Sequence, residues 1–336
     1  MNVLITSVGR RAYMVKYFRD ALGNNGLIHV CNSDENTVSF CYADRCVVSP
    51  LIYDDSYVPF LLRYCKDNDI DILLSLFDID LPILSRHKDE FLRIGTNVIV
   101  SDEDFVSVCN DKWQTYTFLK DHGFNVPQTY KKLSDVLAAL ENDEISYPIV
   151  VKPRFGCGSI GMAFAEDREE LLYLNRRTIK QIKNSYLKFE SHGVSNLVIF
   201  QEKLRGQEYG VDIINDLNGT FQNAVIKKKI AMRAGETDIA EVVENASIFC
   251  EAERLGKLTG HIANLDCDVF FVDGKAYFLE MNARFGGGYP FSHTCGCDLP
   301  KAILLWAEQQ HVDGKLLTAK SCGAIYKELV LTPMKK

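Results

Sequence analysis

Over the first hundred residues, apolar runs of strand length alternate with stretches of helical spacing. Val3-Leu4-Ile5 reads as a short buried strand, and Gly9 permits a sharp turn after it. Residues 12–22 then place Val15, Phe18, Ala21 and Leu22 on one helical face. Apolar runs at 27–31, 45–48, 70–76 and 97–100 read as further strands, separated by helical intervals at 57–66 and 81–91. This alternation predicts a doubly wound parallel sheet in an N-terminal α/β domain, with ligands at the carboxyl ends of its strands.

The pattern changes after an acidic passage at 101–111, and the expected domains are 1–105 and 106–336. A helical segment at 113–122 precedes Gly123 and an extended stretch entered at Val126-Pro127. Residues 147–153 form a buried strand ending in Lys152 and lead into a glycine-rich turn holding Gly156, Gly158, Ser159 and Gly161. Residues 167–191 read as a long charged helix and 197–200 as a strand. Residues 221–230 are a strand, 239–258 an amphipathic helix, 299–309 a helix and 323–331 a last strand. No internal repeat or low-complexity segment is present. The second domain thus reads as α+β in two lobes, a small one at about 125–203 and a large one at about 204–336.

One stretch concentrates the polar chemistry. Asp268 opens a strand that ends in the turn dipeptide Asp273-Gly274, which fits the positive φ angles of a two-residue hairpin. On the returning strand Glu280, Asn282 and Arg284 share parity, so they face one side and the turn brings Asp268 near them. Two carboxylates and an amide are hard oxygen donors of the kind Mg²⁺ takes, with water and phosphate completing its shell. Arg284 adds a planar fork for a phosphate or carboxylate. A solvated surface hairpin would show the same alternation, so the remaining segments decide.

The glycines after Lys152 let backbone N–H groups point at an anion, and the lysine adds a point charge. The order is not that of a phosphate loop opening a helix. Downstream, residues 201–212 contain Glu202, Lys203, Leu204 and Glu208; a hinge backbone can pair with adenine, and an ionised carboxylate accepts from ribose hydroxyls. In the run Lys227-Lys228-Lys229, alternate lysines share a face, and which face is inward is open. A nicotinamide site using Asp34 is disfavoured because residues 6–11 offer only one glycine. Arg10, Arg11, Asp78 and Asp80 are placed to meet a small substrate or simply to be solvated.

Composition narrows the class. A formal net charge of −7 argues against general nucleic-acid or membrane-surface binding, and 47% hydrophobic content suits a globular protein. The start MNVLIT carries no basic leader, and no apolar run reaches membrane-span length, so a cytoplasmic enzyme is the expectation. Eleven scattered cysteines read as reduced, mostly buried side chains. Cys295-Gly296-Cys297 lacks a second ligand pair, and His293 reads as structural.

Lys112 before its helix, Val-Lys-Pro with its glycine turn, Glu202 to Glu208, and Asp268, Glu280-x-Asn282-x-Arg284 followed by three glycines occur in the order of the ATP-grasp superfamily, which the whole chain resembles. It is most similar to ligases related to one half of the carbamoyl-phosphate synthetase large chain. The resemblance implies ATP and Mg²⁺ (or Mn²⁺) as cofactors, and Asp268, Glu280 and Asn282 as metal ligands. It implies nucleotide contacts from Lys112, Lys152, Gly156, Gly158, Ser159, Gly161, Glu202, Lys203, Leu204, Glu208 and Lys229. Arg284, Lys152 and Arg233 take catalytic roles by the same resemblance. The implied reaction is carboxylate–amine ligation through an acyl phosphate, on small-molecule carboxylate and amine substrates that include amino acids, in a possible homodimer. Bicarbonate activation and a non-catalytic ATP-binding module are the alternatives. Asp268 departs from the larger side chains common at its position, which leaves one or two metal ions open.

Overall fold

The computed structural model describes residues 1–156 and 161–333. Strands β1 (Val3–Thr6), β2 (Ile28–Asn32), β3 (Arg45–Val48), β4 (Ile72–Ser75) and β5 (Asn97–Val98) form a parallel sheet in the order β3-β2-β1-β4-β5. β1 and β4 are buried at every residue, as central strands covered on both faces must be. The strand order reverses between them, so the loops leaving their carboxyl ends splay apart and open a crevice.

A small antiparallel sheet follows, with β6 (Thr129–Tyr130), β7 (Ile149–Pro153), β8 (Ala163–Ala165) and β9 (Val198–Glu202) in the order β6-β9-β7-β8. The helix Arg168–Lys183 covers one face through Leu171, Leu174 and Ile182. The large antiparallel sheet takes β10 (Gln207–Asn215), β11 (Phe221–Arg233), β12 (Glu236–Val242), β13 (Asn264–Val272), β14 (Lys275–Asn282) and β15 (Ala324–Tyr326), in the order β14-β13-β10-β11-β12-β15. One apolar core runs from the parallel sheet to the large sheet, taking in Leu73, Val106, Phe124, Val211 and Phe278. That continuity fixes the N-terminal loops against the polar strands of β13 and β14.

Several element boundaries differ from the sequence expectation. Residues 236–242 are strand β12, and the helix runs only over Ala246–Thr259. Pairing of β12 with β11 and β15 outweighs the helical spacing there, and Asn245 caps the shortened helix by accepting from the Ile248 N–H at 3.1 Å. The acidic 101–111 passage holds a helix, Glu103–Asn110. The 81–91 interval splits at His87 into two short helices, and the charged helix after 167 stops at Lys183 before a turn, Leu187–Glu190, closes the segment. Gly158 and Ser159 lie outside the described residues. No helix among the described residues is long and apolar enough to cross a membrane.

Candidate active site

Where the three sheets meet lies a cavity of about 730 Å³, within the range of small-molecule sites. One polar wall is set by the β13–β14 hairpin. Asp273 and Gly274 take φ of 48° and 78°, the left-handed pair a two-residue turn of this type needs. From that turn the ladder pairs Val269 with Phe278, after which a bulge at Leu279 shifts the register. Asp268 therefore lies opposite Glu280, and Asp266 opposite Asn282. Paired residues share a face, so the bulge gathers four polar side chains on the cavity side.

Cations from two other sheets meet them. β7 directs Lys152 inward, where Nζ lies 3.3 Å from Glu280 Oε1, and Lys112 Nζ lies 3.9 Å from the same oxygen. Lys112 also donates to the Gly156 carbonyl. Burial holds the Lys152 ammonium below its ordinary value, opposed by Glu280 and reinforced by the Lys112 charge. On β11, Lys229 donates to Glu208 Oε1 at 2.6 Å and to Asp268 Oδ1 at 2.5 Å. Burial alone would lower Lys229, but the two carboxylates outweigh it and drive its pKa up. Asp268 mirrors this: burial would raise it, and Lys229 pulls it below the usual carboxylate range. Lys227 shares the inward parity but is buried against Asp212, beneath the cavity wall.

The far end of the cavity is apolar and edged by the connection from β9 to β10. Val150, Phe164, Phe270 and Leu279 line a slot beside Gln201, Glu202, Lys203 and Leu204. The Glu202 N–H is bonded to the Gln128 carbonyl at 2.9 Å, and Lys203 Nζ sits 4.5 Å from the Phe164 ring centroid. Apolar side chains with a polar hinge along one edge suit a purine base, and Glu208 joins this part of the lining to Lys229.

The opposite end is built from the loop after β1 and the residues after β14. Arg10 and Arg11 line it, and the Arg11 guanidinium is fixed by the Leu76 and Phe285 carbonyls at 2.9 and 2.8 Å. Arg284 is buried, with 2.8 Å to Asp78 and 3.3 Å to Asp266. Burial pushes the Asp266 carboxyl up to about 6 despite the Arg284 charge. Asp80, one of the loop acids placed toward substrate by sequence, is instead fully buried, accepting from Thr6, Ser75, Tyr57 and Ser7. Its hydrogen bonds tie the ends of β1 and β4 together.

The structure thus brings Lys112, Lys152, Gly156, Glu202, Lys203, Leu204, Glu208, Lys229, Asp268, Glu280, Asn282 and Arg284 to one cavity. It does not bring Arg233, whose guanidinium pairs with Asp238 at 2.6 Å on the exposed β11–β12 hairpin. Gly161 is described near Pro153 and Gln181 rather than among the lining residues. His293 stacks on Tyr17 with ring centroids 3.7 Å apart, which makes it a packing residue. Asp266 and Glu236 were absent from the sequence reading, although Asp266 shares parity with Asp268 and that alternation was a usable signal. Among the described residues no three His, Cys, Asp or Glu side chains cluster as a ready metal cage. Two carboxylates and Asn282 match a cation that fills its shell with water and phosphate.

Comparison with known proteins agrees with this geometry. Residues 3–99 match the PylC-like N-terminal domain, and residues 109–288 match the ATP-grasp domain. The carbamoyl phosphate synthase large chain of Pseudothermotoga lettingae is 23% identical over 277 residues, covering 77% of this chain and 23% of that one. This chain therefore spans about a quarter of that relative's length. Biotin carboxylase from Campylobacter jejuni, solved as a β-γ-ATP complex, superposes with a TM-score of 0.73 at 16% identity, over 96% of this chain and 74% of its own. N5-carboxyaminoimidazole ribonucleotide synthetase from Thermus thermophilus gives 0.70 at 15% identity, over 96% and 81%. At such identities the structures speak to the fold. The domain match reaches further because it runs over more than half of the 336 residues and includes the lysines, the hinge and both polar strands: this chain belongs to the ATP-grasp family.

Proposed function

We propose that the protein is an ATP-dependent carboxylate–amine ligase. The observation that carries this reading is one cavity lined by apolar side chains beside Glu202 to Leu204, by lysines paired with carboxylates, and by Arg10, Arg11 and Arg284. ATP and Mg²⁺ are typical cofactors of the family. In this reading Glu280, Asn282 and Asp268 would hold the cation, which would supply positive charge against the transferring phosphoryl group. Glu208 accepts from the ribose hydroxyls, and Glu202 to Leu204 border the base. Lys112 and Lys152 stand at the phosphates, and Lys229 exchanges its carboxylate partners in part for phosphate oxygen.

At the acceptor end, Arg10 and Arg284 orient a substrate carboxylate for in-line attack on the γ-phosphorus. The carboxylate oxygen bonds to phosphorus as the bond to ADP breaks, giving an acyl phosphate. An amine then attacks the acyl carbon, phosphate leaves, and the amine's proton is released. Enclosure by the three sheets keeps water from the mixed anhydride. Both charge signs line the cavity, with Glu236 among its residues as well as the arginines, so an amino acid suits it as a substrate. The relatives that carry carbamoyl phosphate synthase names favour bicarbonate activation as the second reading.

The test is ADP and phosphate release from Mg-ATP with pools of amino acids and other carboxylates, beside a Lys152→Ala control. Release that needs an amine, with a product lighter than its parts by one water, establishes ligation. Release with bicarbonate alone favours the second reading. Nucleotide binding without release from any pool favours a binding module.

A further inference from the structure

The segment 186–190 of the small lobe reaches across to the N-terminal domain and joins it at two places. Tyr53, in the loop between β3 and the helix Tyr57–Asp67, stacks on Phe189 with ring centroids 4.5 Å apart and an interplanar angle of 23°. Its hydroxyl donates to Glu190 Oε1 at 2.7 Å, across 137 residues of chain. Phe77, which follows β4 and lines the main cavity, meets Tyr186 edge-on at 6.3 Å. Between these contacts Leu187 is buried and lies against Gly156, so closely that a Cβ added at Gly156 would come 2.6 Å from its Cδ2. Gly156 in turn accepts from Lys112.

The same segment closes a small chamber behind the polar strands. Glu190 and Gly156 line it together with Asp78, Lys112, Glu280 and Asn282, and its volume is about 20 Å³. A continuous line of contact therefore runs from Tyr53 through Glu190, Leu187 and Gly156 to Lys112. Burial raises the Glu190 carboxyl, with the Tyr53 hydrogen bond opposing that rise, as expected for a group withdrawn from water at a domain contact.

We propose that Tyr53 and Glu190 are a positioning pair: their hydrogen bond and the adjoining ring stack clamp segment 186–190 onto the N-terminal domain and thereby set Gly156 and Lys112 for the nucleotide phosphates. Neither residue touches nucleotide; both act through Leu187, Gly156 and Lys112. The inference rests on the nucleotide-binding part of the reading above and not on amide formation.

The probe is MgADP, titrated by calorimetry into the full chain and its variants. Tyr53→Phe keeps the stack and removes the donor, and the dissociation constant rises about fivefold, the size of one hydrogen bond. Tyr53→Ala removes both contacts and raises it about thirtyfold. Glu190→Gln keeps an acceptor oxygen and stays within about twofold of the parent. Tyr53→Phe added to Glu190→Ala has no further effect, because the partner is already gone. Tyr53 is 36% exposed, so these changes spare the core, and thermal midpoints stay close together while affinity moves. Unchanged MgADP affinity in Tyr53→Ala, or a fall in thermal midpoint that accounts for all of the change, overturns the proposal. Failure of the parent chain to bind MgADP removes the nucleotide reading with it. An affinity shift in a chain that ligates no amine leaves the clamp standing and removes only the ligase reading.

Discussion

Asp268 and Glu280 face one another across the β13–β14 ladder because Leu279 is an extra residue in β14. Without the bulge, regular pairing from the Asp273-Gly274 turn would set Leu279 against Asp268 and send Glu280 to the other face of the sheet. The bulged leucine is also put to use, since it lines the apolar slot. One irregularity in the ladder thus sets the boundary between the apolar and the charged lining of the cavity.

Glu280 is the shared partner of Lys152 and Lys112, at 3.3 and 3.9 Å. Glu280→Ala is expected to lower ATP turnover by roughly 10²-fold or more, the usual scale for losing a preorganised charge at a transferring group. It also leaves the buried Lys152 without its carboxylate, which costs about 1–3 kcal/mol in a urea unfolding series. Turnover within tenfold of the parent would remove Glu280 from the metal site.

Glu208 is bound by Lys229, which it shares with Asp268. Glu208→Ala is expected to raise KM for ATP about tenfold, with kcat far less affected, because ribose contacts are the same in ground and transition states. An equal fall in kcat would instead place Glu208 in the phosphoryl-transfer step.

Much of this site was legible because strand parity and short turns are local rules. The Asp273-Gly274 turn, the shared parity of Lys227 and Lys229, and the strand carrying Lys152 all follow from residues close in sequence, whereas which lysine face is inward does not. What was not legible depends on tertiary pairing. Residues 239–242 carry apolar positions compatible with helix, and only the edges of β11 and β15 make them strand. Arg233 looks poised for phosphate from its loop, but its guanidinium pairs with Asp238 while Met232, Gly235 and Glu236 around it line the cavity. Lys227 and Lys229 have the same parity, yet one finds a buried aspartate and the other the cavity, a difference set by residues on β10 and β13.

Two buried titrating groups give stability opposite pH dependences. His261 is fully buried, with Nε2 3.0 Å from the Ile213 carbonyl, and burial holds its pKa at about 4 against an ordinary 6.5. The unfolded chain then binds the proton first, so stability is present above pH 6.5 and falls as pH drops toward 4, by about 3 kcal/mol in all. Asp266 runs the other way. With a folded value of about 6 against 3.8, the folded chain takes the proton first, and falling pH favours the fold through that window. The two effects largely cancel between pH 6 and 4. Asp266→Asn removes the compensation, so its urea stability is expected to fall more steeply over that interval than the parent's. Parallel stability curves would show that Asp266 titrates near its ordinary value in the folded chain.

Gly286 is required by the carboxylate beside it. An ideal Cβ there would lie 2.1 Å from Asp266 Cγ and 2.2 Å from both carboxylate oxygens, so an alanine cannot be added without moving one of the two. Asp266 is held by Arg284 at 3.3 Å, and Arg284 is held in turn by Asp78 at 2.8 Å. Gly286→Ala is therefore expected to cost about 1–3 kcal/mol, as other overpacking changes do, and to lower turnover by displacing Arg284. The clash can be separated from any general strain in the loop. Asp266→Ala removes the three atoms nearest the new methyl group, so in that background Gly286→Ala should cost much less. A double-mutant cycle in urea then gives a coupling that is a large share of the cost of the single change. Additive costs would mean that the 286–288 backbone itself, rather than the Asp266 carboxylate, rejects the side chain.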